Sequence, residues 1–163
     1  MRISTLIGSA ASVAATAAIG GLATRSSVES AWYARLRKPS YQPPRAVFPV
    51  VWPALYTDIA VVSASTMDRL RDTDDDRGLR AFRAALALNL ILNGGWSWLF
   101  FNRRHLGPSA LLSAVLTASG ADLAARAIDV RGARAAPLVL YPLWCAFATL
   151  LSGHIWLLNR RQV

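Results

Sequence analysis

The stretch that decides how this chain is read is WYARLRKPSYQPPRAVFPVVWPALY, residues Trp32–Tyr56. Its first half is aromatic, cationic and rich in proline, whereas its second half is almost entirely apolar. Lys38-Pro39 and Pro43-Pro44 cannot lie inside an ordinary helix, because proline lacks the N–H and clashes with the preceding turn. A rigid segment joined directly to an apolar run is typical of a membrane protein whose loop closes over a helical pocket.

The composition also favours a membrane protein. Hydrophobic residues make up 54% of the 163 residues and charged residues only 17%, with a mean hydropathy of +0.33, whereas soluble chains carry about 25% charged residues. A net charge of +9 would by itself suggest nucleic acid as a partner. The arginines, however, stand in short clusters between apolar runs, as they do in membrane loops. We therefore expect membrane lipid and no nucleic acid as a partner.

Five apolar segments are long enough to cross a bilayer, which takes about 20 residues at about 1.5 Å each. We predict an all-α, integral membrane bundle of five transmembrane helices, in a single domain over residues 1–163. The first segment resembles a signal peptide in its Arg2 and its many alanines, but its apolar part is too long for one, so we expect a retained helix. The predicted helices span residues 3–24, 46–67, 81–101, 106–125 and 135–158, and the loop 25–45 is a candidate lid.

Polar residues in and between these spans were weighed for function. Asp58 lies within the second span, where a carboxylate is expensive and suggests function, although a neutral or hydrogen-bonded aspartate is the simpler interpretation. Asp68–Arg80 is predicted to be a solvated loop, since its aspartates lack the EF-hand spacing. Cys145 is the only cysteine and the two histidines are far apart, so we expect no disulfide, no metal site and no required cofactor.

Aromatic and small residues recur on defined helix faces. On the first span, Gly8, Ser12, Thr16 and Gly20 form a small-residue stripe, which internal packing or a dimer face would explain. Three other spans each present one face with aromatic side chains at helical spacing, and the face on the third span adds two amides. These faces are expected to face one another and to form the walls of a pocket. They comprise Phe48, Trp52 and Tyr56; Asn89, Asn93, Trp96 and Phe100; and Tyr141, Trp144 and Ala148.

These features together resemble the translocator protein / tryptophan-rich sensory protein (TspO/MBR) family, once called the peripheral benzodiazepine receptor family. The family pattern is approximately W-Y-x-x-L-x-K-P-x-x-x-P-P-x-x-V-F/L-x-x-V-W-x-x-L-Y, which Trp32–Tyr56 matches throughout. Two shorter signatures follow in the expected order. They are Leu92-Asn93 with Trp96 and Phe100-Phe101, and the run YPLWCAFAT at residues 141–149.

The resemblance implies a five-helix bundle, often dimeric, with a pocket under the first loop. Family members bind porphyrins, sterols and synthetic isoquinoline or benzodiazepine-type ligands. The positions that match the family's pocket residues are Trp52, Trp144, Asn93, Trp96 and Ala148, with Tyr33 and Pro43 in the lid. The flat apolar face of a porphyrin also suits Phe48 and Phe100 as walls, and its propionates suit the lid cations Lys38, Arg35 and Arg37.

Three functions stay open at this point. The first is binding of protoporphyrin or haem for transport, sensing or regulation, and the second is light- and oxygen-dependent porphyrin degradation, which would depend on Trp52 and Trp144. The sequence offers no nucleophile–base pair, so an enzymatic role rests on resemblance alone. The third is sterol or lipid transport, which is weakened because Gly153 and Leu157 stand where a cholesterol-recognition pattern has tyrosine and a basic residue. Gly94 also replaces a family tryptophan beside the pocket asparagine.

The sequence leaves the orientation in the membrane open. Lysine and arginine divide equally between the two predicted sides, so the positive-inside rule does not decide it. Family analogy places the first loop and the C-terminus in the cytoplasm. Composition favours a bacterial plasma or outer membrane, and a eukaryotic chain would instead lie in the mitochondrial outer membrane. A homodimer is a further expectation from the family.

Overall fold

The computed structural model describes residues 1–160, and every regular element in that range is helical. A 3₁₀ turn, Arg45–Val47, precedes the third helix, a π-helical turn, Trp98–Asn102, extends the fourth, and a 3₁₀ segment, Gly132–Val139, joins the last two. The helices are α1 (Ile3–Val28), α2 (Ala31–Arg35), α3 (Phe48–Asp72), α4 (Asp76–Ser97), α5 (Leu106–Arg131) and α6 (Leu140–Asn159).

The five long helices confirm the predicted membrane bundle. Four continuous helical stretches are long and apolar enough to cross a membrane, and the last of them, Leu106–Asn159, covers 54 residues. That stretch contains both α5 and α6, which pack extensively against each other, so it folds back and supplies two spans. α1 packs on α3 and α4, and α4 packs on α5.

The main core lies between α3, α4, α5 and α6. Its fully buried members include Ile59, Phe82, Leu123 and Tyr141. A second, smaller cluster lies under the lid, where Tyr33 packs with residues from the end of α4, the start of α5 and α6. The predicted pocket residues lie at the edges of both clusters. Trp52 and Trp144 pack against the main core, whereas Phe48 and Trp96 pack against the smaller cluster under the lid.

The predicted loop 68–80 is mostly helix. α3 continues through Asp72 and α4 begins at Asp76, so the prediction of a solvated loop from Asp68 onward was wrong. Asp68 is only 5% exposed, because it accepts hydrogen bonds from the backbone N–H of Arg2 and from Arg71 Nη1, the latter at 3.0 Å. These partners compensate the buried carboxylate, and the i,i+3 pair supports another helical turn.

The other predicted boundaries also shift for local reasons. α5 runs six residues past residue 125, to Arg131, and ends where Gly132 adopts φ +60°, a conformation that glycine accepts readily. The following segment holds Pro137 and is 3₁₀, so α6 begins at residue 140 rather than 135. Within the predicted lid, α1 continues to Val28, and Ser30 caps α2 by accepting from Tyr33 N–H at 3.3 Å.

Candidate functional site

The first part of the candidate site is an aromatic cluster beneath the N-terminal half of the lid. Tyr33, 8% exposed, lies 6.0 Å from the ring centroid of Phe101. Trp96 stacks on Phe100 at 5.4 Å, and Trp32 meets the same ring edge-on at 6.2 Å. The lid and the end of α4 are thus held together by ring contacts, and three predicted site residues, Tyr33, Trp96 and Phe100, belong to one cluster.

The second part is a seam between the start of α3 and the face of α6. The rings of Phe48 and Trp144 meet edge-on at 6.0 Å, and Trp144 lies 5.4 Å from Phe147. Tyr41 of the lid covers Phe147 at 6.3 Å and its hydroxyl lies 3.2 Å from His154 Nδ1. The predicted wall residues Phe48 and Trp144 are therefore in direct contact.

The third part is a buried polar network at the centre of the bundle. Trp52 packs on Tyr56 at 5.4 Å, and the Tyr56 hydroxyl donates to Asn93 Oδ1 at 2.8 Å. Asn93 Nδ2 in turn donates to the Tyr141 hydroxyl at 3.1 Å, and that hydroxyl donates to Asn89 Oδ1 at 2.9 Å. The network links α3, α4 and α6, so it fixes the spacing of the three helix faces that were predicted to form the pocket walls.

The lid residues differ in how they are held. Lys38 Nζ donates to the Tyr33 carbonyl at 2.6 Å and lies 4.1 Å above the Tyr33 ring. Burial, and then the nearby charge of Arg45, lower the pKa of Lys38. Pro43 is half-buried in the lid, and Ala148 is half-buried one turn beyond Trp144 on α6. Lys38 thus braces the lid internally.

Comparison with known proteins gives this arrangement its context. The TspO/MBR family model matches residues 9–157, nearly the whole chain. The chain belongs to the TspO/MBR family. It is 34% identical over 131 residues to the translocator protein of Bos taurus, covering 77% of this chain and 73% of that protein. It is 31% identical over 160 residues to the tryptophan-rich protein TspO of Archaeoglobus fulgidus, covering 98% of this chain and 99% of that protein. It is 28% identical over 130 residues to protein CrtK of Rhodobacter capsulatus, covering 79% of each chain.

Family membership and the apolar helices make this an integral membrane protein, as the sequence predicted. The TspO/MBR resemblance drawn from Trp32–Tyr56 is confirmed by the same match. Several structural partners of the site were not predicted, however. Asn89 and Tyr141 were placed on the correct faces but were not assigned to the site, although two amides facing a tyrosine inside a membrane is itself a signal of a buried network.

A clasp between the lid and α6 also went unpredicted in this TspO/MBR chain. Arg37 N–H donates to Asn159 Oδ1 at 3.0 Å, and Asn159 Nδ2 donates to the Arg37 carbonyl at 2.9 Å. The amide of Asn159, 2% exposed, therefore pairs with the lid backbone as a neighbouring strand would. The helical register of α6 gives no hint of this, because the partner is a backbone group 122 residues away.

Some buried polar atoms of the site have no hydrogen-bond partner within residues 1–160. They include the indole Nε1 atoms of Trp96 and Trp144 and the Oε1 atom of Gln42 in the lid. A buried polar atom without a partner costs about 1–3 kcal/mol, so such atoms are uncommon, and these are able to form a hydrogen bond with a bound molecule. Asp58 Oδ2 is likewise without a described partner, so of the two simpler interpretations, a neutral or a hydrogen-bonded aspartate, the second finds no support at that oxygen.

Proposed function

We propose that this TspO/MBR protein binds a tetrapyrrole of the protoporphyrin or haem type between the lid and the aromatic faces of α3, α4 and α6. In this proposal the protein acts in the transport, sensing or regulation of that ligand. The observation that carries the proposal is the contact between Phe48 and Trp144. It is the seam at which a flat ring can replace an existing ring contact, with Trp52 and Trp96 on neighbouring walls.

The charges of the lid support the same ligand class. Arg35, Arg37, Lys38 and Arg45 take part in none of the three ion pairs described within residues 1–160. These cations therefore have no carboxylate to compete with the propionates of a porphyrin, and a charge-assisted hydrogen bond to a carboxylate is about twice as strong as a neutral one. The orphaned indole N–H groups of Trp96 and Trp144 add donors for such a ligand.

Quenching of tryptophan fluorescence by protoporphyrin tests the proposal. We expect saturable quenching in the wild type and binding about threefold to tenfold weaker in Trp144→Phe, the loss that one aromatic contact predicts. Trp156→Phe is the matched control. Trp156 is also on α6, but it is 40% exposed and belongs neither to the main core nor to the cluster under the lid. An absence of quenching in the wild type would reject tetrapyrrole binding and leave a sterol or lipid as the ligand.

A second arm separates binding from porphyrin degradation. The complex is illuminated in air and the Soret band is followed in the wild type and in Trp52→Phe/Trp144→Phe, at ligand concentrations that saturate both. Loss of the band at equal rates in both proteins means simple photobleaching and supports a binding role. A loss that requires the two tryptophans would instead assign degradation to the same pocket.

A further inference from the structure

The far end of the seam between the lid and α6 carries a pair of polar side chains that the proposed function does not use. The Tyr41 hydroxyl lies 3.2 Å from His154 Nδ1, and the centroids of the two rings are 5.7 Å apart. The other histidine, His105, is exposed where α5 begins. Within residues 1–160, His154 is therefore the histidine that packs against a ring of the seam.

The hydrogen bonds of Tyr41 favour one tautomer of His154. The Tyr41 hydroxyl also lies 3.5 Å from the carbonyl oxygen of Leu150. A hydroxyl has one proton to donate, so both contacts are satisfied together when it donates to that carbonyl and accepts from the Nδ1–H group of His154. The proton then sits on Nδ1, and the lone pair of Nε2 is available to a ligand. Histidines that bind metals are usually held in this way, with the second ring nitrogen donating to an outer partner.

α6 presents His154 on the same face as the aromatic residues of the seam. Phe147 precedes His154 by about two helical turns, or about 10 Å along the helix axis. Phe147 packs on Trp144 at 5.4 Å and is covered by Tyr41 at 6.3 Å. A flat macrocycle whose centre lies at His154 therefore finds aromatic contacts along the same face of α6.

A lid cation lies near the same end of α6. The backbone of Arg37 is hydrogen-bonded to Asn159, which follows His154 by about 8 Å along the helix axis. The Arg37 side chain is exposed and takes part in none of the ion pairs described within residues 1–160. An imidazole lone pair, an aromatic face and a guanidinium group are thus found at one end of the seam.

We propose that His154 Nε2 is the axial ligand of an iron porphyrin, so that this protein prefers haem to metal-free protoporphyrin. The inference rests on the proposed function and specifies its ligand. The porphyrin supplies the nitrogens in its own plane, so one histidine from the protein is enough to hold the iron. The Nε2 lone pair forms a coordinate bond to iron without transfer of a proton or an electron. Arg37 pairs with a propionate, and Tyr41 is a positioning residue.

Resonance Raman spectroscopy of detergent-purified protein tests the proposal, with haemin and protoporphyrin as the probes. After the bound haem is reduced, we expect the wild type to show the iron–histidine stretching band of a five-coordinate ferrous haem. His154→Gln should lose this band and bind haem more than about tenfold more weakly, because its loss exceeds that of a supporting residue. Its binding of protoporphyrin, measured by tryptophan quenching, should stay as in the wild type.

His105→Gln is the matched control, because it removes the exposed histidine outside the seam and should leave the band and both affinities unchanged. Tyr41→Phe keeps the ring that covers Phe147 but removes the hydrogen bond to His154. It should weaken haem binding about tenfold and lower the frequency of the band, since an outer hydrogen bond raises the basicity of the ligand. Free imidazole added to His154→Gly should restore the band, which a purely structural role of His154 does not predict.

The outcomes separate this inference from the proposed function. If neither porphyrin binds the wild type, the proposed function fails, and axial ligation fails with it. If both bind but the haem spectrum is the same in the wild type and in His154→Gln, then His154 is not the ligand and the proposed function stands. The inference is also overturned if His105→Gln loses as much haem as His154→Gln, or if the wild type binds protoporphyrin more tightly than haem.

Discussion

Removing the hydroxyl of Tyr141 tests whether the buried polar network holds the pocket walls together. Tyr141 is fully buried and its hydroxyl makes two hydrogen bonds, accepting from Asn93 and donating to Asn89. Tyr141→Phe keeps the ring and deletes both bonds. It leaves Asn93 Nδ2 and Asn89 Oδ1 without these partners in a site that excludes water.

The size of the effect follows from the number of bonds. Hydrogen bonds between membrane helices average about 0.6 kcal/mol and reach about 1.7 kcal/mol, so two bonds predict a loss of about 1–3 kcal/mol in the free energy of unfolding. Tyr56→Phe removes only the bond to Asn93 Oδ1 and should lose about half as much. The double variant should lose less than the sum, because both tyrosines act on the same amide.

Reversible unfolding in mixed micelles, with increasing SDS, measures these free energies. Tyr41→Phe is the control, since it deletes a tyrosine hydroxyl that lies outside the network, on a side chain that is 47% exposed and bonded to His154 of the lid seam. If Tyr141→Phe is no less stable than Tyr56→Phe, or if the two effects are simply additive, then the hydroxyls do not work as one network. Protoporphyrin quenching of the same variants then shows whether loosening the network also weakens ligand binding.

Two further changes test the packing around the lid and the core. Asn159→Ala breaks both bonds to the Arg37 backbone, so we expect the lid to be cleaved faster in limited proteolysis while the bundle unfolds at a similar temperature. Gly120→Ala puts a Cβ 3.1 Å from a buried Tyr141 ring carbon and should cost about 1–3 kcal/mol, lowering the unfolding midpoint by about 2–12 °C. Gly153→Ala, where a Cβ meets nothing within 4 Å, should keep or raise that midpoint.

The sequence predicted the parts of this protein that depend on helical period and on apolar length. Phe48, Trp52 and Tyr56 fall on one face because helical spacing leaves no other arrangement. The same reasoning placed Asn93 and Trp144 on facing walls, where the structure has them near Tyr56 and Phe48. The family match rested on a long proline and aromatic signature, which is specific because few other folds need it.

What the sequence did not predict depends on contacts between distant residues. Hydropathy predicts that α3 ends near residue 67, because a charged Asp68 is expected to be exposed. In the structure, Asp68 is buried and accepts a hydrogen bond from the backbone of Arg2, near the N-terminus. The clasp between Asn159 and the Arg37 backbone is invisible in the sequence for the same reason. A helical pattern gives the face on which a side chain lies, but not whether its hydrogen-bonding partner is present.

How the lid is fastened determines how a ligand can enter. Lys38 binds the lid to itself, at the Tyr33 carbonyl and ring, so this bond survives when the lid lifts as a unit. Opening breaks the two-bond clasp, the hydrogen bond between Tyr41 and His154, and three ring pairs to the end of α4 and to α6, at about 1 kcal/mol per hydrogen bond and about 0.5–1.5 kcal/mol per ring pair. The sum is about 4–8 kcal/mol, which corresponds to an open fraction of about 0.1% or less. A ligand that replaces the Phe48 contact with its own stacking on Trp144 enters through this minor, open-lid state. Weakening the clasp raises the population of the open lid, so it should speed ligand entry more than it weakens the closed complex.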